Sequence, residues 1–341
     1  MALSQRARRN LRLIRNHAVV AMTIGGAFGF LLTSYSLIGL VDGIAIGFLT
    51  ATSLACFELF LMGGPAGRAL RRLPFAGLLA LRVAVYGTVA MGAYAAGRLL
   101  VSGPANLFVA DAPFFWSIAF SLAFSVAANF FMLVRRLAGP GVIAHFVLGR
   151  YNRPRPERRS LLFLDVVGST AIAERIGAAR FHALLNSVMY DIAGPVTEYG
   201  GELHKYVGDE AIITWTASGD VVDPRPAACV AAIVDRLDRR ASEYEKTYGN
   251  AVRLRAGLHV GDVVTGEMGD QRQEIAMVGD GVNTAARLVD AARDTGHQVI
   301  ATTVAIDPQH LPKGWQSRPL GPVALRGKAE PLELAALERA A

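Results

Sequence analysis

The chain has 341 residues, 35 basic against 28 acidic, and a mean hydropathy of +0.33, which is high for a soluble protein. Charge is split along it: residues 1–150 hold 13 arginines and no lysine against three acids (Asp42, Glu58 and Asp111), leaving 22 basic and 25 acidic residues in the remainder. The basic pI of about 9.7 therefore does not describe a nucleic-acid-binding surface, and two distant cysteines, Cys56 and Cys229, fit neither a disulfide framework nor a metal site.

Four apolar runs open the chain, at 18–39, 44–62, 75–96 and 113–134. Each is close to the ~20 residues that cross a bilayer as a helix. Arg6, Arg8, Arg9, Arg12 and Arg15 precede the first run, Arg68, Arg71 and Arg72 separate the second from the third, and Arg135 and Arg136 follow the fourth. The other two connections carry Asp42 and Asp111 and no basic residue. The positive-inside rule then gives residues 1–136 as a four-helix, multi-pass domain of the plasma (inner) membrane with both termini cytoplasmic. A cleaved signal peptide is not expected, because the first run is long and three more follow. Glu58 and Arg82 fall at similar depth, so an interhelical pair and separate snorkelling are both open, while Arg98 reads as snorkelling at the outer end. Gly25, Gly26 and Gly29 either permit close helix packing or are ordinary glycines of membrane helices.

Residues 137–159 change character. Gly139-Pro140-Gly141 breaks any continuation of the fourth span, 142–151 has the pattern of a short amphipathic helix, and NRPRPERR is a polar, proline-bearing linker.

From 160 to 341 the pattern is that of an α+β domain. Strand 161–165, helix 169–191, hairpin 202–215, helix 224–248, strands 253–260 and 274–278, helix 281–294, and strands 298–302 and 332–337 follow in order. In LLFLDVVGST (161–170) an apolar strand ends in Asp165, and a Gly-Ser-Thr turn then opens a helix whose free N–H groups suit phosphate. In KYVGDEAI (205–212) a hairpin presents Asp209 at its turn. Two carboxylates on neighbouring strand ends are suited to hold hard divalent cations against a triphosphate. VGDGVNTAAR (278–287) puts Asn283 and Arg287 on one face of a helix.

Together, in this order and spacing, the three motifs identify a resemblance to the catalytic domain of class III adenylyl and guanylyl cyclases, over about residues 159–337. The resemblance implies a ferredoxin-like core and a membrane-anchored adenylate cyclase converting ATP to 3′,5′-cyclic AMP and pyrophosphate. Asp165, the Val166 backbone and Asp209 match the sites of two cations, Mg²⁺ or Mn²⁺. The backbone amides of Val166 to Thr170, with Gly168, Ser169 and Thr170 at the helix start, match the phosphate cradle, Arg255 a phosphate-contacting arginine, and Arg326 and Lys328 a basic loop that closes on the phosphates. Asn283 matches the residue that orients the ribose, and Arg287 the arginine that stabilises charge on the α-phosphate. Lys205 matches the lysine that donates to adenine N1. Its partner position is Ala276, where adenylyl members tend to have Asp or Thr, so Gln273, Glu274 or a backbone carbonyl would have to supply the acceptor. Residues 137–159 resemble the family's transducing segment, although a passive tether reads equally well.

In the resembled fold the aspartates of one chain face the Lys, Asn and Arg of another. A single chain with both sets implies an isologous homodimer with two equivalent sites. The competing readings are a guanylate or mixed-specificity cyclase, a catalytically weak membrane receptor or scaffold, and a cyclic-dinucleotide synthase, whose hairpin would read GGDEF where this chain reads VGDEA. A transporter is excluded, since no paired, interrupted segments occur.

Overall fold

Two units, Met1–Val134 and Arg135–Ala341, divide the computed structural model. The structure describes residues 5–58, 70, 73–102, scattered positions between 115 and 130, 149–217, 219, 221–271 and 273–340. Most of the fourth apolar run, the arginines at 68, 71, 72, 135 and 136, Asp111, and the Gly139-Pro140-Gly141 break lie outside the described residues.

In the first unit, α1 (Gln5–Leu32), α2 (Leu37–Cys56) and α3 (Phe75–Ser102) are long helices. Two segments among the described residues, Leu37–Cys56 and Gly77–Ala96, are apolar and long enough to cross a membrane. The first connection is displaced from the one read in the sequence. The chain reverses at 33–36, through left-handed Ser34 (φ 52°) and Tyr35 (φ 69°), and Ser36 caps α2 by accepting from the Ile38 N–H at 3.2 Å. Asp42 consequently lies inside α2 and not in a loop. The glycines explain why α1 and α2 come together: a Cβ on Gly25, Gly29 or Gly43 would run into the backbone carbonyl of Gly43, Gly39 or Gly25 across the seam. Small residues at i, i+4 on both helices allow this backbone approach. Between the end of α2 and the first half of α3, Arg82 Nη2 donates to Glu58 Oε2 at 3.1 Å and the Tyr86 hydroxyl donates to Oε1 at 2.8 Å. Arg82 Nε, 3.0 Å from Oε1, makes an ionic contact outside hydrogen-bond geometry. The two charges therefore pair and do not snorkel apart.

The second unit is built on one eight-stranded sheet ordered β2-β3-β1-β4-β6-β8-β7, with β5 on β4. The strands are β1 (Arg155–Val166), β2 (Glu202–Val207), β3 (Glu210–Thr216), β4 (Leu254–Met268), β5 (Glu274–Val278), β6 (Val299–Thr302), β7 (Trp315–Val323) and β8 (Leu332–Arg339). The helices are α4 (Ser169–Ile176), α5 (Ala178–Glu198), α6 (Arg225–Arg239), α7 (Ala241–Tyr248) and α8 (Asp280–Thr295). β1 lies antiparallel between β3 and β4, and β4 runs parallel to β6.

Alternation along β1 assigns its two faces. Leu162, Leu164 and Val166 join Ile213, Trp215 and Leu258 under α5 and α6, while Leu161 and Phe163 join Ile212 and Val263 under Ala285 and Val289 of α8. α8 sits directly on β4 because of Gly257, where a Cβ would come within 2.6 Å of the Ala285 carbonyl and 2.8 Å of Leu288 Cβ. Cys229 is buried in the larger core, while Cys56 lies on an exposed side of α2.

Three departures from the sequence reading have local causes. β1 begins at Arg155, inside what reads as a polar linker, because its charges are satisfied in place. Arg159 is 4% exposed and donates to Glu157 at 2.7 Å, to the buried Tyr151 hydroxyl at 3.1 Å and to Glu202 of β2 at 3.4 Å. Burial pushes the Glu157 carboxyl up, but its hydrogen bonds and the Arg159 charge outweigh that and hold it below the ordinary range. Helix 169–191 is divided at Gly177, whose φ of 82° ends α4 and starts α5. β7 carries no strand pattern in the sequence, because Pro319, Gly321 and Pro322 obscure it; they are tolerated because β7 is an edge strand with an irregular register.

α5, α6 and α7 are pinned by Asp191, whose side chain is fully buried. It accepts from Arg236 at 3.3 Å, Arg240 at 2.5 Å and the Tyr244 hydroxyl at 2.6 Å. Asp191→Ala removes the acceptor shared by Arg236, Arg240 and the Tyr244 hydroxyl, leaving Arg240 with Glu243 at 2.6 Å, and is expected to cost about 3 kcal/mol. Urea unfolding followed by tryptophan fluorescence should show that loss; an unchanged midpoint would mean the cluster is energetically neutral.

Candidate active site

The end of β1 delivers Asp165, half-buried, and the β2–β3 hairpin delivers Asp209 beside it. The hairpin is a two-residue loop, Gly208-Asp209, closed by Val207 opposite Glu210. Gly208 takes φ 62° at the first turn position, where a left-handed conformation favours glycine. Asp165 and Asp209 are within hydrogen-bond reach of one another. Burial, reinforced by the hydrogen bond and charge of Asp209, pushes the Asp165 carboxyl up to about 6, against the pull of Arg293 and Arg255. Burial together with the Asp165 and Asp209 charges likewise pushes Glu210 up to about 7.

Crowded carboxylates of this kind suit a hard divalent cation, whose charge relieves their repulsion. Among the described residues no three His, Cys, Asp or Glu side chains form a metal-holding group. Remaining oxygens would have to come from the backbone and a bound phosphate. The Val166 side chain is buried in the core, which leaves its carbonyl as the only donor it offers.

The run of N–H groups open to an anion is narrower than 166–170. The Val167 N–H donates to the Arg253 carbonyl at 2.9 Å, and Val166 lies in the ladder opposite Leu254. Gly168 (φ 68°) precedes α4, so Gly168, Ser169 and Thr170 carry the N–H groups for which a helix start has no internal acceptor. Arg255 stands opposite Asp165 in the β1–β4 ladder.

α8 presents the second group. Its buried side carries Ala285, Leu288 and Val289, which leaves Asn283 exposed and Arg287 half-exposed, the latter 3.5 Å from Asp290. Lys205 of β2 pairs with Glu274 of β5 at 3.1 Å. Lys328 bonds to Asp280 at the start of α8, bringing the Arg326-Gly327-Lys328 loop against that helix, with Arg326 exposed. Between them His259, bonded to Thr302 at 3.0 Å, is pushed down to about 4, first by burial and then by Lys328, and stays neutral at physiological pH.

One protomer therefore brings Asp165, Asp209 and Arg255 together, but not the whole set. Among the described residues no hydrogen bond or ion pair joins the carboxylates to Lys205, Asn283 or Arg287. Two neighbours escaped the sequence reading. Glu210 was hidden as an ordinary strand residue after the turn. Arg293, whose charge acts on Asp165 and which lies 3.5 Å from Asp290, falls outside the VNTAAR motif although it shares its helix.

A sheet carrying paired carboxylates at adjacent strand ends, with an Asn/Arg helix across its other face, defines a nucleotidyl cyclase domain. The chain belongs to the adenylate and guanylate cyclase catalytic domain family, whose signature matches residues 152–335. It is 33% identical over 303 residues to Adenylate cyclase 2 of Rhizobium meliloti (strain 1021), covering 88% of this chain and 83% of that one. It is 32% identical over 200 residues to the Uncharacterized protein MT1361 of Mycobacterium tuberculosis (strain CDC 1551 / Oshkosh), covering 55% of this chain and 34% of that protein. In structure it is similar to a bacterial light-regulated adenylyl cyclase, with a TM-score of 0.54 and 19% identity over 64% of each chain, a likeness of fold. The protein is a nucleotidyl cyclase.

Proposed function

We propose that the protein is a membrane-bound adenylate cyclase, active as a homodimer with two composite sites. The carrying observation is that, among the described residues, no hydrogen bond or ion pair joins Asp165 and Asp209 at their strand ends to Asn283 and Arg287 on the open side of α8. Asp165, the Val166 carbonyl and Asp209 would hold two divalent cations, Mg²⁺ or Mn²⁺, which when bound offset triphosphate charge and make the ribose 3′-hydroxyl more acidic. Gly168, Ser169 and Thr170 cradle the phosphates through their N–H groups, with Arg255 and the Arg326/Lys328 loop adding positive charge. From the second chain, Asn283 fixes the ribose so that its 3′-oxygen lies in line with the α-phosphorus and pyrophosphate leaves opposite. Arg287 neutralises charge building on the α-phosphate oxygens in the transition state. Lys205 donates to adenine N1, in keeping with the name of the Rhizobium meliloti relative.

Residues 1–136 are read as four spans, 137–159 as the connection and 160–341 as the catalytic domain. α1 to α3, the two apolar segments and the arginine flanks support this, with both termini on the cytoplasmic side of the plasma (inner) membrane.

Purified full-length protein supplied with ATP or GTP, and Mg²⁺ or Mn²⁺, is expected to release mainly cyclic AMP and pyrophosphate. Chromatography identifies the product. Mainly cyclic GMP would replace the adenylate reading with the guanylate one, and no cyclic product under any pairing would favour a catalytically silent receptor.

A further inference from the structure

Selection of the purine, which rests on the cyclase reading above, turns on the pair formed by Lys205 and Glu274. β2 contains a bulge between Leu203 and Lys205: Leu203 lies opposite Ile213, and Lys205 opposite Ile212. Ile213 belongs to the core under α5 and α6, whereas Ile212 belongs to the core under α8. The extra residue, His204, thus moves the lysine off the face that Leu203 occupies, where regular alternation would have left it.

On β5, Glu274 and Ala276 alternate to one face while Met277 packs into the core beneath α8. The Lys205 ammonium meets this strand at Glu274, 3.1 Å from Oε1, with the two side chains 41% and 47% exposed. Ala276, next along the same face, has no atom that can accept a hydrogen bond.

We propose that Glu274 is the purine-selecting acceptor of this enzyme, receiving a hydrogen bond from the exocyclic amino group of adenine while Lys205 donates to N1. Adenine presents a donor beside an acceptor on that edge, and the Lys205–Glu274 pair offers the complementary acceptor and donor side by side. The ammonium has three N–H donors and uses one on Glu274, so others remain for the base. Among the described residues Glu274 accepts from Lys205 alone, which leaves lone pairs for the amino group. The small side chain of Ala276 leaves room on its face for the base edge.

The test compares full-length wild type with Glu274→Ala, Glu274→Gln and the double variant Glu274→Ala/Ala276→Asp. Each is measured for kcat/KM with ATP and with GTP, and for equilibrium binding of both nucleotides. Glu274→Ala should lower the ATP:GTP ratio about tenfold, in both kcat/KM and affinity, through loss of binding to ATP. Glu274→Gln retains an acceptor oxygen and should keep most of the ratio, and the double variant should recover it from the neighbouring position. An unchanged ratio in Glu274→Ala, or a fall in GTP use equal to that in ATP use, overturns the proposal. So does a Glu274→Gln variant as impaired as Glu274→Ala, since Glu274 would then serve only to hold Lys205. If wild type binds nucleotide but forms no cyclic product, the cyclase reading fails separately, and the binding ratios still decide this one.

Discussion

Asp165→Asn and Asp209→Asn should each lower turnover by ~10³-fold or more while leaving the protein folded. Each removes a charge that holds a cation against the triphosphate, and a loss of that size corresponds to about 4 kcal/mol of transition-state stabilisation. Stability should move the other way. The Asp165 carboxyl is pushed up to about 6 from its ordinary 3.8, so the unfolded chain gives up this proton at lower pH than the folded one. Ionised Asp165 therefore costs the native state stability, with the cost growing as pH rises from about 4 to 6 and complete above that window. In chelator, Asp165→Asn should melt at or above the wild-type temperature at pH 8, and its advantage should vanish near pH 4. Circular dichroism melts at the two pH values, run beside the turnover assay, check both halves. Near-normal turnover would remove Asp165 from the metal site, and a variant that melts below wild type at pH 8 would contradict the stability half.

Arg287→Ala should cost ~10²- to 10³-fold in kcat with a smaller change in KM, because its guanidinium meets charge that develops only in the transition state. The side chain sits on the half-open side of α8 with one contact to Asp290 at 3.5 Å, so its removal leaves the core beneath Ala285 and Leu288 intact. Arg287→Lys keeps the charge but loses the planar fork, and should recover only part of the rate. Steady-state kinetics for both variants provide the check. A rise in KM with kcat unchanged would make Arg287 a substrate-binding residue and nothing more.

Much of this catalytic unit was legible in the sequence, for identifiable reasons. Asp165 and Asp209 stand out because an apolar strand and a glycine-bearing hairpin each stop at a carboxylate, and Asn283 with Arg287 because helical periodicity fixes their common face. What escaped depended on partners distant in sequence. The polar stretch before Ser160 becomes strand because Arg159, Glu157, Tyr151 and Glu202 satisfy one another, and their spacing along the chain gives no hint of it. The bulge at His204 is invisible to an alternating pattern, which would have placed Lys205 with Leu203. The ion pair of Lys205 with Glu274 joins β2 to β5, which are not neighbours in the sheet, and no sequence pattern reports it. In the first unit, apolar composition located helices, but the turn at Ser34 and Tyr35 came earlier than Asp42 had suggested, since a lone acid can be accommodated within a helix.

If chemistry occurs at sites shared between two copies of the chain, defects placed in different copies complement one another. Coexpression of Asp165→Asn and Arg287→Ala subunits under different affinity tags, with purification through both, isolates the heterodimer. In it one site carries both defects and the other carries neither. The expected result is cyclase activity near half that of wild type, against parents each reduced by orders of magnitude. A purified heterodimer as inactive as its parents would contradict the shared-site account.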